Sequence, residues 1–265
     1  MITPLIIKDA DCQLYGILRY PPDTKAIVIF LPAASGTRVG PQRIYVQTSN
    51  HLIKTNKATL CIDIPPHGDS FDYTDRKYKT NGRERLIQHY AFYLDKIINY
   101  LKENYKFEEY ILCSISAGCI PILNYAKANY FKKIIMLSPN HLENSNAINK
   151  KNLKTYYHKL FRPETWLKIF TFNVQYKKIF NNILIINNNL TKKDKVSTFK
   201  NKSVSVLCIF GEKDEALMSC HEYWKKQLNN GYISKYDEKI IENADHSFFG
   251  WNFKEKVASH IMDWL

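Results

Sequence analysis

The feature that most constrains this chain is a series of short apolar runs that lack the alternation of a half-wet strand. Residues 26–31 read Ala-Ile-Val-Ile-Phe-Leu and 58–62 read Ala-Thr-Leu-Cys-Ile; 110–113, 133–137 and 204–210 are similar. A strand with one solvated face alternates apolar and polar residues, whereas a continuous run is the pattern of a central strand covered on both sides. Helical spacing appears between the runs: Tyr90, Leu94, Ile97, Ile98 and Leu101 fall on one stripe. Two earlier segments, 5–8 and 13–19, suit an antiparallel pair, and a last strand is expected at 238–241. Residues 253–265 read as a closing helix with Val257, Ile261 and Trp264 on its inner face. The expectation is an α/β fold, a mostly parallel doubly wound sheet preceded by an antiparallel pair.

One stretch breaks the alternation. From 140 to 202 there are aromatic and basic helical patterns (156–172, 176–185) and then a polar tract. A structureless loop of about 60 residues is uncommon in a compact domain. A helical lid insertion at 140–202 is therefore expected, between core segments 1–139 and 203–265. Its aromatic residues, Trp166 among them, need an apolar partner: the core sheet, a bound acyl chain or, in a homodimer, a second subunit.

A chain of 265 residues, 45% hydrophobic, is long enough for one such domain. No basic leader precedes an apolar core at 1–20, and no apolar run is long enough for a membrane span. The six cysteines (Cys12, Cys61, Cys113, Cys119, Cys208, Cys220) show no zinc or disulfide spacing, so no metal is expected. Reduced, buried thiols fit a cytoplasmic protein. The formal charge of +13 raises the question of nucleic acid, but the lysines are spread in short pairs rather than gathered in a patch. No nucleic-acid partner is expected, while a preference for anionic substrates stays open.

The chemistry is expected where the run 110–113 meets a predicted helix at 119–130. Between them lies Ser114-Ile115-Ser116-Ala117-Gly118, a small-residue turn of the G-x-S-x-G type with serine at its first position. Strand, tight turn and helix present the central serine as an exposed nucleophile. A serine hydroxyl needs a base to take its proton, and the base needs an anion to fix its tautomer. Asp214 follows the run 204–210, with Gly211 allowing a turn, and His246 follows 238–241. All three thus fall on loops at the carboxyl edge of one sheet, where open α/β sheets place their sites. Asp245 and Glu212 are the lesser candidates for the acid. An oxyanion hole would use the N–H of Ala117 and one from the loop Pro32-Ala33-Ala34-Ser35-Gly36, with Ala34 preferred.

On these residues the chain resembles the α/β-hydrolase superfamily over nearly its full length. Asp63-Ile-Pro-Pro-His67-Gly-Asp-Ser70 looks like that superfamily's D-x-P-G-H-G-x-S loop, with Pro66 in place of glycine. Within it, Tyr15-Gly-Ile-Leu18, Arg38-Val-Gly-Pro-Gln-Arg43 and the segment from Tyr156-Tyr157 to Trp166 are similar to hydrolases encoded beside exosortase systems. The resemblance implies a serine hydrolase acting on a carboxylic ester or thioester through an acyl-enzyme, with no cofactor. An acyltransferase with the same triad is the nearest variant, and a non-catalytic binding protein on the same scaffold is the alternative from another class. Ser35, Arg38 and Trp166 are expected at the substrate. Arg38 and Arg43 read equally as solvated ends of a helix starting near Pro41.

Overall fold

The computed structural model describes residues 1–33, 36–74, 76–78, 82–126, 131–139 and 202–265. The expected insertion, with Trp166, lies outside them except for Lys202, and so do Ala34 and Ser35. The described residues fall in one compact unit assembled from two chain segments.

Nine strands join in one sheet: β1 (Ile2–Lys8), β2 (Cys12–Arg19), β3 (Ala26–Leu31), β4 (Ala58–Ile62), β5 (Phe71–Asp72), β6 (Glu109–Ile115), β7 (Lys133–Leu137), β8 (Ser205–Gly211) and β9 (Lys235–Ile241). Their order is β1-β2-β4-β3-β6-β7-β8-β9, with the short β5 paired to β2. β2 runs antiparallel to both β1 and β4, and the strands from β4 to β9 are parallel. The unbroken apolar runs are the central strands, and every residue of β3 and β4 is buried. β9 begins earlier than expected, at Lys235, because its polar residues suit a sheet edge.

The helices are α1 (Ile44–Leu52), α2 (Gly82–Asn104), α3 (Cys119–Tyr125), α4 (Leu217–Asn229) and α5 (Trp251–Trp264). α1 and α5 cover one face, where Tyr45, Leu52, Val257 and Ile261 pack on Val28, Phe30, Cys113, Ile135 and Ile209. Side chains of alternate strand residues point the other way, and Ile27, Ile29, Leu112 and Ile134 are fully buried there too. Each such side chain contributes about 1.5–3 kcal/mol on burial, so both faces stabilise the sheet. α2 carries the expected stripe, with Tyr90, Leu94, Ile97, Ile98 and Leu101 buried, and packs against α3. On α5, Val257 and Ile261 are buried, while the half-buried Trp264 donates its Nε1–H to Asp237 at 2.6 Å. All six cysteines are buried and free, and burial raises the Cys113, Cys119 and Cys208 thiols above the usual range. No helix among the described residues is long and apolar enough to cross a membrane.

Candidate active site

Three parallel strands deliver three side chains to one edge. β6 runs to Ile115, so Ser116 is the first residue past the strand, and it heads a 3₁₀ turn that leads into α3. Its φ of 56° lies in the left-handed region that a side chain rarely adopts. The turn is packed too tightly for anything larger than glycine at 118. A Cβ there would collide with the Ser114 hydroxyl and would lie 2.5 Å from the Pro32 carbonyl oxygen.

Asp214 follows β8, and His246 follows β9. Gly211 opens the expected turn, its carbonyl accepting the Asp214 N–H at 3.0 Å, and it also works through space. It is the last residue of β8, and a Cβ on it would run into the carbonyl oxygens of Ala244 and Asp245. The two loops can therefore touch, and their backbones bond: Glu212 N–H to Ile241 O at 3.0 Å, Lys213 N–H to Ala244 O at 3.0 Å.

The outcome is a continuous hydrogen-bonded chain of three side chains. His246 Nδ1 lies 2.9 Å from Asp214 Oδ2, and His246 Nε2 lies 2.9 Å from Ser116 Oγ. The ionised carboxylate can only accept, so Nδ1 carries the hydrogen and Nε2 is left to accept from the serine hydroxyl. The other oxygen of Asp214 accepts the Ala216 N–H at 2.9 Å. Burial alone would raise the Asp214 pKa, but its hydrogen bonds from His246 and Ala216 outweigh it and hold the carboxyl below the usual range. The same bond, against opposing burial, raises His246 above the ordinary histidine value. The rival acids are engaged elsewhere: Asp245 accepts the N–H groups of Ser247 and Phe249, and Glu212 accepts that of Asn243.

The loop after β3 is held by three hydroxyls that sequence reasoning passed over. Tyr45 and Ser114 donate to the Leu31 carbonyl at 2.8 and 2.9 Å. The Tyr90 hydroxyl lies 3.0 Å from the Pro32 carbonyl oxygen and 3.2 Å from that of Ala33, which also accepts the Gly36 N–H at 2.9 Å. Ser114, which departs from the glycine of the motif, thus ties the strand that leads to Ser116 to this loop. Burial pushes both tyrosine hydroxyls up in pKa, so they remain donors. Ala117 follows Ser116 in the 3₁₀ turn that leads into α3, and Ala34, the other expected donor, lies outside the described residues along with Ser35.

Arg38 is not a solvated helix end. It is paired with the fully buried Asp63 and, at 2.6 Å, with Asp69. Asp63 also accepts the Arg38 and Asp69 N–H groups, at 2.6 and 3.0 Å. Gly68, at φ 70°, lies so close to the Asp63 carboxylate that a Cβ would overlap it. Ser70 Oγ accepts the Tyr15 N–H at 2.8 Å. The 63–70 loop is therefore a clamp that fixes 36–40 against the sheet. Arg43 is exposed, at the head of α1 after a 3₁₀ turn at Pro41–Arg43.

The fold has counterparts among solved structures. An esterase from Pyrococcus furiosus aligns over 100% of this chain and 91% of its own, with TM-score 0.64 and 19% identity. This chain has the α/β-hydrolase fold. A dienelactone hydrolase from Anabaena variabilis matches 100% of this chain and 96% of its own at TM-score 0.61 and 16% identity. Est1E from Butyrivibrio proteoclasticus matches 98% and 96% at TM-score 0.62, again with 16% identity. No protein-family model and no curated protein sequence matches this α/β-hydrolase-fold chain.

Proposed function

We propose that this protein is a serine hydrolase of carboxylic esters or thioesters. The observation that carries the reading is the unbroken relay from Ser116 through His246 to Asp214, with both links at 2.9 Å. His246 takes the Ser116 proton on Nε2 as Oγ attacks the substrate carbonyl carbon. The negative charge that develops on the carbonyl oxygen is met by the N–H of Ala117, in the 3₁₀ turn that leads into a helix whose first N–H groups lack internal partners, and by that of Ala34. The tetrahedral adduct collapses, the C–O or C–S bond breaks, and His246 returns its proton to the leaving alcohol or thiol. Water, deprotonated by His246, then attacks the Ser116 acyl ester, and the acid departs with Ser116 restored. Asp214 stays ionised throughout and stabilises the imidazolium. Neighbours with this fold, an esterase and a dienelactone hydrolase, accord with ester chemistry.

A fluorophosphonate probe tests the reading. Wild-type protein should be labelled on Ser116 and the Ser116→Ala variant should not, while Ser114→Ala should still react. Labelling that persists in Ser116→Ala would remove Ser116 as the nucleophile.

A further inference from the structure

A cleft of about 180 Å³ opens between the loop that follows β4 and the first turns of α2. That loop leaves the carboxyl end of its strand, so the cleft lies at the same edge of the sheet as Ser116. One wall is the ring of Tyr90, whose hydroxyl reaches the Pro32 and Ala33 carbonyls of the β3 loop. The cleft and the proposed oxyanion loop are thus separated by the length of one tyrosine side chain. Its volume is close to that of a roughly 150 Å³ cavity that holds one benzene, room for a short chain rather than a whole substrate.

The lining is divided. Ile64, Pro65, Leu86 and Tyr90 supply apolar surface, and Arg85 and His67 supply polar atoms. His89 is a fixed wall, because its Nε2–H donates to the Pro65 carbonyl and its Nδ1 accepts the Tyr78 hydroxyl at 2.9 Å. Arg85 differs from the arginines beside it. Arg38 is bound by Asp63 and Asp69, and Arg76 by Asp11 and Asp72. Arg85 has no carboxylate partner among the described residues; its guanidinium lies 5.9 Å from the Tyr78 ring. The nearby aspartates are already committed: Asp63 and Asp69 to Arg38, and Asp72 to Arg76, Thr74 and Tyr93. Among the described residues, then, Arg85 brings to the cleft a positive charge with no carboxylate partner, beside an apolar floor.

We infer that this cleft is a substrate subsite for a carboxylate, so that the esters turned over by Ser116 carry an acidic group a few bonds from the scissile carbonyl. The inference rests on the hydrolase reading above. Guanidinium and carboxylate match as a two-pronged charged hydrogen bond, while the methylene chain between acid and ester lies on Leu86 and Tyr90. The surplus of basic residues along the chain favours the approach of such anions.

Two measurements test it. The first compares kcat/KM for mono-4-nitrophenyl glutarate and for neutral 4-nitrophenyl valerate, in wild type and in Arg85→Ala. The wild-type ratio of acidic to neutral ester should fall at least about fivefold in the variant, the scale of a partly exposed charged hydrogen bond. A ratio that does not move overturns the subsite. The second measures binding of glutarate itself by calorimetry, independent of turnover. Binding that weakens at least fivefold in Arg85→Ala supports the subsite, and binding that is absent or unaltered overturns it. If glutarate binds through Arg85 while no ester is cleaved and no probe reacts, the hydrolase reading fails and the anion cleft stands. Arg85 is exposed, so the variant should fold, with a thermal midpoint matching wild type.

Discussion

The most searching test of the site is the removal of one hydroxyl that never touches substrate. Tyr90→Phe keeps the buried ring and deletes the donor shared by the Pro32 and Ala33 carbonyls. Ala33 keeps the Gly36 N–H at 2.9 Å, and Pro32 keeps only the Ser114 hydroxyl at 3.3 Å. A neutral hydrogen bond of this kind contributes about 0.5–1.5 kcal/mol to stability. At this chain length that corresponds to a fall of about 2–4 °C in Tm per kcal/mol. Deleting an oxyanion donor outright costs about 10²–10³ in kcat. Here the peptide carrying the donor is loosened rather than lost, so kcat should fall about tenfold, or about 1.4 kcal/mol of barrier. KM should hold, because the ground-state carbonyl gains little from the hole. The assay is steady-state hydrolysis of an activated aryl ester beside a thermal melt. Tyr93→Phe serves as the control, since its hydroxyl bonds Asp72 at 2.6 Å. A Tyr90→Phe protein with a lowered Tm and wild-type kcat would refute the argument that this tyrosine positions the oxyanion loop.

The remaining expectations concern the relay, the loop contact and the insertion. Because Asp214 raises the His246 pKa, His246 with its partner stabilises the fold below its unfolded pKa of about 6.5, and that gain is lost as pH rises through the higher folded value. Turnover needs the neutral ring, so kcat/KM should decline on the acid side with an apparent pKa above 6.5. Asp214→Asn should move that limb downward and cut kcat about 10³-fold or more, and an equal loss in Asp245→Asn would reopen the choice of acid. Gly211→Ala should cost about 1–3 kcal/mol and most of the activity by forcing the two loops apart, read by denaturant melts and kcat; wild-type behaviour would mean the loops give way easily. Trp166→Ala, from the insertion inferred at 140–202, should weaken turnover of long-chain esters more than of acetyl esters, and equal losses across chain length would leave Trp166 no part in acyl binding.

The layout of the sheet was legible because it depends on local pattern. Runs such as 26–31 and 204–210 are apolar on both sides, and that alone marks central strands. The stripe on α2 is equally local. What the pattern hid were the uses of residues that look like core. Tyr45 and Tyr90 occupy inward positions on helices and read as packing, yet their hydroxyls hold carbonyls 14 and 58 residues away. Arg38 looked free because its partner, Asp63, is 25 residues distant and invisible to periodicity. Ser114 seemed a defect in the motif until its contact with the Leu31 carbonyl, across the β3–β6 register, gave it a task. Gly211 was legible for the turn that leads to Asp214 but not for its second use, a close approach between loops.

That close approach bears on how the site moves. Asp214 and His246 are 32 residues apart along the chain, yet the loops bearing them are tied by the bonds of Glu212 and Lys213 directly beyond the β8–β9 ladder. A fluctuation that lifts one loop carries the other with it. Ser116 follows β6, is separated from that pair by β7 and meets it through the His246 contact. Breathing of the sheet edge therefore falls mainly on the Ser116–His246 distance, and Asp214 and His246 travel as a unit whose orientation Ser116 meets or misses as a whole.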